Sequence, residues 1–340
     1  MIISGPPCPP WSSIGLLGGQ QDKRSHIFTK VSDVIINQAR RGTLSCFIVE
    51  MVPCIAHDTP RRGTSSSGIG DESMIFYEHW LQELHHEMPS FRVCSWLMQT
   101  SEYLPQNRQR LYTVGFHRDV LGNALLIPPS LPSTAQMQRA TLADILHRGL
   151  PAIREVDLSP QQRANLRIQQ STLLANRPRG PACFCIAIDR DPTLNFESGV
   201  RRDGSVFTLR TCNEMIWLFM VDAAGNTVLS RCLHPVERLS LQGFRPELGT
   251  FLSKAAMMRF TGNACTVPVI TSVLRQAILP LARPSILGVP NVPRPLSFWV
   301  FSEWGERYLR TVRFLNIERE HIAVLEQLVL LQRFQLQVVQ

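Results

Sequence analysis

The segment from Gly5 to Gly15 carries the side chain best suited to covalent chemistry, the thiol of Cys8. It follows a short apolar strand at Ile2 and Ile3, and ligands in α/β proteins bind at the carboxyl ends of strands. Two prolines precede the cysteine and restrict the backbone, so the thiol is expected to point in one direction. A free thiol has a pKa of about 8.5 and needs help to ionise. Two alternatives stay open here, a thiolate nucleophile or an inert cysteine in a proline-rich turn.

The elements that must position this thiol follow an alternating pattern over the first 120 residues. Short apolar runs alternate with stretches of helical periodicity, which is typical of a parallel α/β sheet. The residues after 120 are rich in proline and arginine, and they indicate an inserted, loop-rich module. Strands are predicted over 45–52, 91–98 and 111–116, and amphipathic helices over 30–41 and 76–84.

The formal net charge of +8 comes almost entirely from arginine. A positive surplus favours a polyanionic partner, and the arginine fork suits phosphates. A GC-rich genome would account for the arginine content equally well. If the partner is a nucleic acid, the arginines of the inserted module are expected to contact its phosphates, namely Arg177, Arg179, Arg201 and Arg202.

Several other classes are excluded by composition. No apolar run approaches the roughly 18 residues that a membrane span requires, and the first residues show no secretory signal. The nine cysteines contain no Cys-x-x-Cys pair, which argues against zinc and predicts a reducing compartment. The histidines at 79, 85 and 86 have no carboxylate or cysteine at ligand spacing, so no metal is predicted.

Taken together, the Cys8 segment and five others resemble the motifs of the cytosine carbon-5 DNA methyltransferases. Gly5-Pro6-Pro7-Cys8 is similar to the nucleophile motif of that family, and the other matches occur in the family order. The resemblance implies a Rossmann-like α/β fold that uses S-adenosylmethionine and carries an inserted target-recognition domain. The other matching segments are Asp22–Phe28, Glu50–Val52, Gln106–Arg110, Arg231–Phe244 and Gly262–Val269.

The resemblance implies roles for four catalytic residues. Cys8 would add to carbon 6 of cytosine, because carbon 5 is a poor nucleophile until that addition occurs. Glu50 would supply an acid at ring nitrogen 3, where negative charge develops. Arg110 would hold the cytosine oxygen, and Arg108 would support the neighbouring loop and backbone.

The resemblance also implies the binding residues. S-adenosylmethionine would contact Ile27, Gly262 and Asn263. Double-stranded DNA is the expected partner, and its cytosine must be flipped out of the stack before reaction. Ser12 and Arg24 would contact phosphates beside that base, and Thr208 would belong to the recognition domain. We expect such a protein in the nucleus, or in the cytoplasm of a prokaryote.

The motif order predicts four regions. A partial catalytic domain is expected over 1–119, a target-recognition domain over 120–230, and a return to the catalytic domain over 231–284. A proline-rich linker and an amphipathic C-terminal helix are expected over 285–340.

Several departures from the family pattern leave alternatives open. No Phe-x-Gly-x-Gly turn for the cofactor precedes Gly5, so the fold is expected to be N-terminally incomplete and to bind S-adenosylmethionine weakly by itself. Pro9, Met51 and Phe260 replace the glutamine, asparagine and glutamine that the family usually has. A truncated gene model, a decaying copy and a split enzyme whose second chain supplies the cofactor half are all compatible with this pattern.

Two alternative functions stay open. One is methylation of cytosine in transfer RNA by a related branch, whose usual Cys-Phe-Thr motif is not evident. The other is a catalytically inactive protein that binds DNA, which the missing cofactor turn favours.

Overall fold

The computed structural model divides the chain into two compact units. The first comprises Met1–Leu97, Arg110–Pro128 and Arg275–Gln340, and the second comprises Met98–Gln109 and Pro129–Leu274. The structure describes residues 1–6, 22–56, 70–122, 129, 140–147, 149–150, 153–177, 180–211 and 214–282. The predicted linker and helix of 285–340 lie outside the described residues.

The first unit is built on a four-stranded sheet with the order β1-β2-β4-β3. Strand β1 pairs in parallel with β2, whereas β4 runs antiparallel to β2. The expectation of a wholly parallel sheet was therefore wrong for β4. A parallel strand needs a long crossover connection, usually a helix, but only residues 100–108 separate β3 from β4. The strands are Ile2–Ser4 (β1), Cys46–Met51 (β2), Phe91–Gln99 (β3) and Gln109–His117 (β4).

Two long helices pack against this sheet, α1 (Ser25–Arg40) and α2 (Gly70–Glu87), and a short helix α3 (Arg118–Leu121) follows β4. All six residues of β2 are buried, as expected for a central strand. The rings of Phe28 and Trp80 meet edge to face with centroids 4.8 Å apart. Trp80 Nε1 donates to Ser32 Oγ at 3.0 Å, so the one polar atom of that indole is satisfied inside the core.

The second unit contains an antiparallel sheet of order β6-β5-β7-β8 where the sequence predicted mainly loops. Pro160, which suggested a break in the chain, lies in the first turn of a helix, as do Pro192 and Pro235. At these positions the missing proline N–H costs no helical hydrogen bond. The elements are α4 (Leu142–Ile145), α5 (Pro160–Ala175), β5 (Ala182–Ala187), α6 (Pro192–Asn195), β6 (Val200–Arg201), β7 (Ile216–Val221), β8 (Thr227–Cys232), α7 (Pro235–Leu241), α8 (Lys254–Asn263) and α9 (Val267–Ala282).

Both faces of this second sheet are covered. Phe184 and Trp217 lie with Leu166 and Leu173 of α5 in one apolar cluster. The alternate residues of the same strands, Cys185 and Leu218 among them, lie in a second cluster with Val206, Leu209 and Leu241. Successive side chains along each strand point to opposite faces of the sheet, so they lie in different apolar clusters. The predicted domain boundaries at 119 and 230 stay predictions.

Among the described helices, none combines the length and the apolar character needed to cross a bilayer. The described cysteines are all free thiols.

Candidate active site

Glu50 and Arg110 form a buried ion pair in the first unit. Arg110 Nε lies 2.9 Å from Glu50 Oε1, and the two side chains are only 14% and 8% exposed. The pairing of β2 with β4 explains their proximity, because Glu50 is directly opposite Tyr112 and Arg110 is two residues from that position. The guanidinium compensates the charge of a carboxylate that would otherwise be costly to bury.

The second oxygen of Glu50 faces the backbone that leads to Cys8. Ser4 of β1 is paired with Val49 of β2, so Gly5 follows in parallel beside Glu50. A Cβ built on Gly5 would lie 3.4 Å from Glu50 Oε2. Cys8 is three residues beyond Gly5 and lies outside the described residues. Glu50 therefore lies beside the end of β1, where the segment that contains the predicted nucleophile begins.

Four of the described cysteines have environments unsuited to a thiolate. Burial raises the pKa of Cys46, Cys94, Cys183 and Cys232 to about 11. At neutral pH such thiols are protonated and weakly nucleophilic.

Arg108 lies in the second unit and bonds to main-chain carbonyls. It is 2% exposed, and its guanidinium donates to the carbonyl oxygens of Gly262 at 3.3 Å and Ala264 at 2.9 Å. These two oxygens flank Asn263, whose side chain is at the exposed end of α8. Arg108 therefore contacts the segment that the resemblance assigned to the cofactor.

Thr208 joins this same region of the second unit. Its hydroxyl donates to the carbonyl oxygen of Asn107. The amide of Asn107 donates to the carbonyl of Val206 at 2.8 Å, and the amide of Val206 donates to the carbonyl of Pro105 at 2.8 Å. The predicted DNA contact and the Gln106–Arg110 segment are thus joined by main-chain hydrogen bonds.

Arg24 and Ile27 lie at the start of α1 in the first unit. Arg24 donates from Nε to Asp22 Oδ1 at 2.9 Å, and these hydrogen bonds lower the pKa of Asp22 to about 2. A phosphate bound by Arg24 would have to share or displace that carboxylate. Ile27 is 38% exposed and offers an apolar surface.

Two residues that the resemblance assigns to S-adenosylmethionine have suitable side-chain types, one in each unit. An exposed aliphatic side chain, Ile27, can contact an adenine ring, and an exposed amide, Asn263, can bond to polar groups. The described residues contain no group of three His, Cys, Asp or Glu side chains that could hold a metal ion.

The predicted sites fall on both described and undescribed residues. The structure brings Glu50 together with Arg110, and Arg108 together with Gly262. Of the departures from the family pattern, Met51 is buried in β2, and the ring of Phe260 lies 4.8 Å from that of Phe244. The predicted site residues Cys8 and Ser12 lie outside the described part of the chain, and so does Pro9.

The arginines expected to contact phosphates make contacts within the chain. Arg201 pairs with Asp203, and Arg202 lies 3.0 Å from Glu197. Arg177 donates to the carbonyl of Ala224 at 3.1 Å. Arg179 lies outside the described residues.

Sequence reasoning missed a buried polar network around Gln242, which is fully buried. Its Nε2 donates to the carbonyl of Thr261 at 2.6 Å, and its Oε1 accepts from Thr266 Oγ1 at 2.8 Å. Arg238, 2% exposed, belongs to the same region. Polar residues inside an otherwise apolar helical pattern were the available signal, because buried polar side chains require partners.

The known proteins that are similar to this chain are methyltransferases. A family model described as C-5 cytosine-specific DNA methylase matches residues 1–278. The type II methyltransferase M.HpaII of Haemophilus parainfluenzae is 24% identical over 271 residues, covering 79% of this chain and 69% of that protein.

Solved structures are similar at lower identity. The Entamoeba histolytica methyltransferase EhMeth is 12% identical, with a TM-score of 0.46, covering 83% of this chain and 77% of that one. The S. pombe Dnmt2 methyltransferase is 14% identical, with a TM-score of 0.44, covering 83% and 78% of the two chains.

Proposed function

Because this chain belongs to the C-5 cytosine-specific DNA methylase family, we propose that it methylates carbon 5 of cytosine in double-stranded DNA through a covalent adduct with Cys8. The family match confirms the predicted resemblance and the Rossmann-like α/β fold class. The observation that carries the proposal is the buried Glu50 carboxylate, held by Arg110 and facing Gly5, three residues before Cys8.

The proposed chemistry uses these residues in sequence. The Cys8 thiolate adds to carbon 6 of a flipped cytosine, and the ring electrons move towards nitrogen 3. Glu50, protonated before this step, gives its proton to nitrogen 3 and becomes the carboxylate whose charge Arg110 compensates. Arg110 fixes the Glu50 carboxyl group and reaches towards the cytosine oxygen. S-adenosylmethionine, when bound, supplies the methyl group for carbon 5. Water then takes the carbon-5 proton, the electron pair restores the double bond between carbons 5 and 6, and the bond from sulfur to carbon 6 breaks to release the Cys8 thiolate. Nitrogen 3 returns its proton to Glu50.

A trapping experiment tests this proposal. A duplex that contains 5-fluorocytosine has no carbon-5 proton to lose, so an enzyme of this kind stays covalently attached to it. We expect the purified chain, at a saturating S-adenosylmethionine concentration, to form a complex with this duplex that resists denaturant. Cys8→Ser should abolish the complex, whereas Cys54→Ser, at a partly exposed position, should retain it.

The same assay separates the alternatives. A complex that survives Cys8→Ser would contradict the assignment of the nucleophile. A transfer RNA that contains 5-fluorocytosine serves as the second substrate. Trapping on this RNA but not on the DNA duplex would show that the substrate is transfer RNA. Duplex binding without trapping would instead indicate an inactive DNA-binding protein.

A further inference from the structure

Arg238 of helix α7 connects two segments that carry predicted ligand contacts. Its Nη2 donates to the carbonyl oxygen of Arg210 at 2.7 Å, and its Nε lies 3.4 Å from Thr261 Oγ1. The side chain is buried, and a buried guanidinium is tolerated only where its donors are satisfied. Arg210 is two residues after Thr208, and Thr261 is two residues before Asn263.

Gly262 brings the same two segments into direct backbone contact. A Cβ built on Gly262 would lie 2.4 Å from the amide nitrogen of Thr211 and 2.5 Å from the carbonyl carbon of Arg210. These atoms are main chain and have little freedom to shift, so any side chain at 262 would separate the segments. The close approach occurs beside the hydrogen bonds of Arg238.

A third segment completes the assembly. Arg108 donates to the carbonyls of Gly262 and Ala264, and Thr208 donates to the carbonyl of the adjacent Asn107. All of these residues belong to the second unit. The recognition segment, defined as residues 206–211, is therefore in close backbone contact with the end of α8 at Gly262 and is also hydrogen-bonded to it through residues 107–108.

We propose that Arg238 is a positioning residue that holds the recognition segment and the end of α8 as one rigid block. Thr208, a predicted DNA contact, and Asn263, a predicted cofactor contact, are then placed together. This inference rests on the proposed function, because the ligands of the two segments are those of the methyl transfer. The positions of Thr208 and Asn263 depend on Arg238 although neither residue has to contact it.

Hydrogen exchange in the ligand-free chain tests whether Arg238 holds the block. Arg238→Met keeps the length of the side chain and removes its donors. We expect exchange about tenfold faster or more in both 206–211 and 258–266, since a buried donor to each segment is lost. Gly262→Ala, which separates the segments without altering the arginine, should accelerate exchange in the same two regions.

Arg163→Met is the matched control. Arg163 also donates to two main-chain carbonyls of the second unit, those of Val156 and Leu158, but its partners lie elsewhere in that unit. It should leave exchange in both regions unchanged. Exchange at wild-type rates in Arg238→Met, or acceleration spread evenly over the whole unit, would overturn the inference.

Kinetics distinguish positioning from simple stabilisation. At a temperature where the variants are folded, Arg238→Met should raise KM for both DNA and S-adenosylmethionine, whereas Asn263→Ala should raise KM for S-adenosylmethionine only. A fall in kcat with both KM values unchanged would contradict a positioning role. Absence of methyl transfer by the wild-type chain would count against the proposed function, while the exchange experiment still decides whether Arg238 holds the block.

Discussion

Glu50 is held so that its two carboxylate oxygens face different groups. Oε1 is 2.9 Å from Arg110 Nε, and Oε2 faces Gly5, which directly follows the adjacent strand β1. Glu50→Gln keeps the shape and an oxygen for Arg110 but removes the titratable proton. We expect methyl transfer to fall about 100-fold or more, as for loss of a general acid. The measurement is transfer of tritiated methyl groups to duplex DNA.

The control for this prediction is Glu83→Gln on the exposed face of α2, which should retain full activity. Thermal unfolding of Glu83→Gln should resemble that of the wild type, whereas Glu50→Gln should unfold at a lower temperature because Arg110 loses its charged partner. Activity is therefore compared at a temperature where both variants are folded, so that the loss reflects chemistry. Activity of Glu50→Gln within threefold of the wild type would remove Glu50 from the acid role.

Glu237 is a carboxylate of the second unit that accepts four hydrogen bonds. It is fully buried and accepts hydrogen bonds from Arg231 and from the amides of His234 and His147. Burial by itself would raise the pKa of Glu237, but these hydrogen bonds outweigh it and hold the pKa below its ordinary value of 4.5. A lowered pKa in the folded state stabilises the protein above the ordinary value.

The stabilisation by Glu237 should therefore be lost as the pH falls from about 4.5 through the lower pKa of the folded state. At neutral pH, Glu237→Gln should lower the free energy of unfolding by about 3 kcal/mol, because Arg231 is left without a charged partner. Urea denaturation between about pH 7 and pH 3 checks this. The two stability curves should converge on acidification, and parallel curves would contradict the prediction.

At the scale of elements, apolar periodicity located the first unit well. The run predicted over 45–52 is β2 at Cys46–Met51, and the run over 91–98 is β3 at Phe91–Gln99. Strand β2 is buried on both faces and therefore has a continuous apolar run, whereas β3 has buried residues interspersed with exposed ones. The direction of β4 was not predictable in the same way, because it depends on which strand the chain returns to.

The second unit was harder to predict because its signals conflict. Proline at position 160 was interpreted as a break, yet Ser159 caps α5 and the proline occupies its first turn. In the polar network of the second unit, Arg108 bonds to carbonyls 154 and 156 positions away, and Arg238 and Gln242 bond to groups 19 to 28 positions away. Partners that distant are set by the tertiary fold, and no local pattern encodes them.

Strands β2 and β4 pack closely because residue 115 of β4 is a glycine. Gly115 is paired with Phe47, and a Cβ at Gly115 would lie 2.1 Å from an atom of that ring. Gly115→Ala should therefore destabilise the protein by about 1–3 kcal/mol through overpacking. Chemical denaturation measures this directly.

A compensating variant makes the Gly115 prediction specific. Phe47→Leu removes the clashing ring atoms, so the double variant Phe47→Leu, Gly115→Ala should be more stable than the sum of the single effects predicts. Strict additivity would show that the ring is not what excludes a side chain at 115.

At the scale of the whole molecule, arginines in the described part of the second unit are paired with carboxylates, so the number of arginines does not measure the positive charge open to a ligand. Arg201 faces Asp203, and Arg202 faces Glu197, which is 72% exposed. These carboxylates compete with any phosphate for the same guanidinium groups. Charge counted along the sequence therefore overstates the charge that these arginines offer to DNA.

This competition predicts opposite effects for the two members of one exposed pair. Arg202→Gln should weaken duplex binding and reduce the slope of log affinity against log salt concentration by about 0.9, the value for one phosphate contact. Glu197→Gln should tighten binding several-fold at low salt, because Arg202 no longer shares its donors with a carboxylate. Lys30→Gln, on the exposed face of α1 in the first unit, is the charge-matched control and should change neither quantity. Titrations by fluorescence anisotropy at about 50 and 200 mM salt measure both slopes. Affinity that is flat over this range, or equal in the two variants, would show that Arg202 is a solvated surface residue that contacts no phosphate.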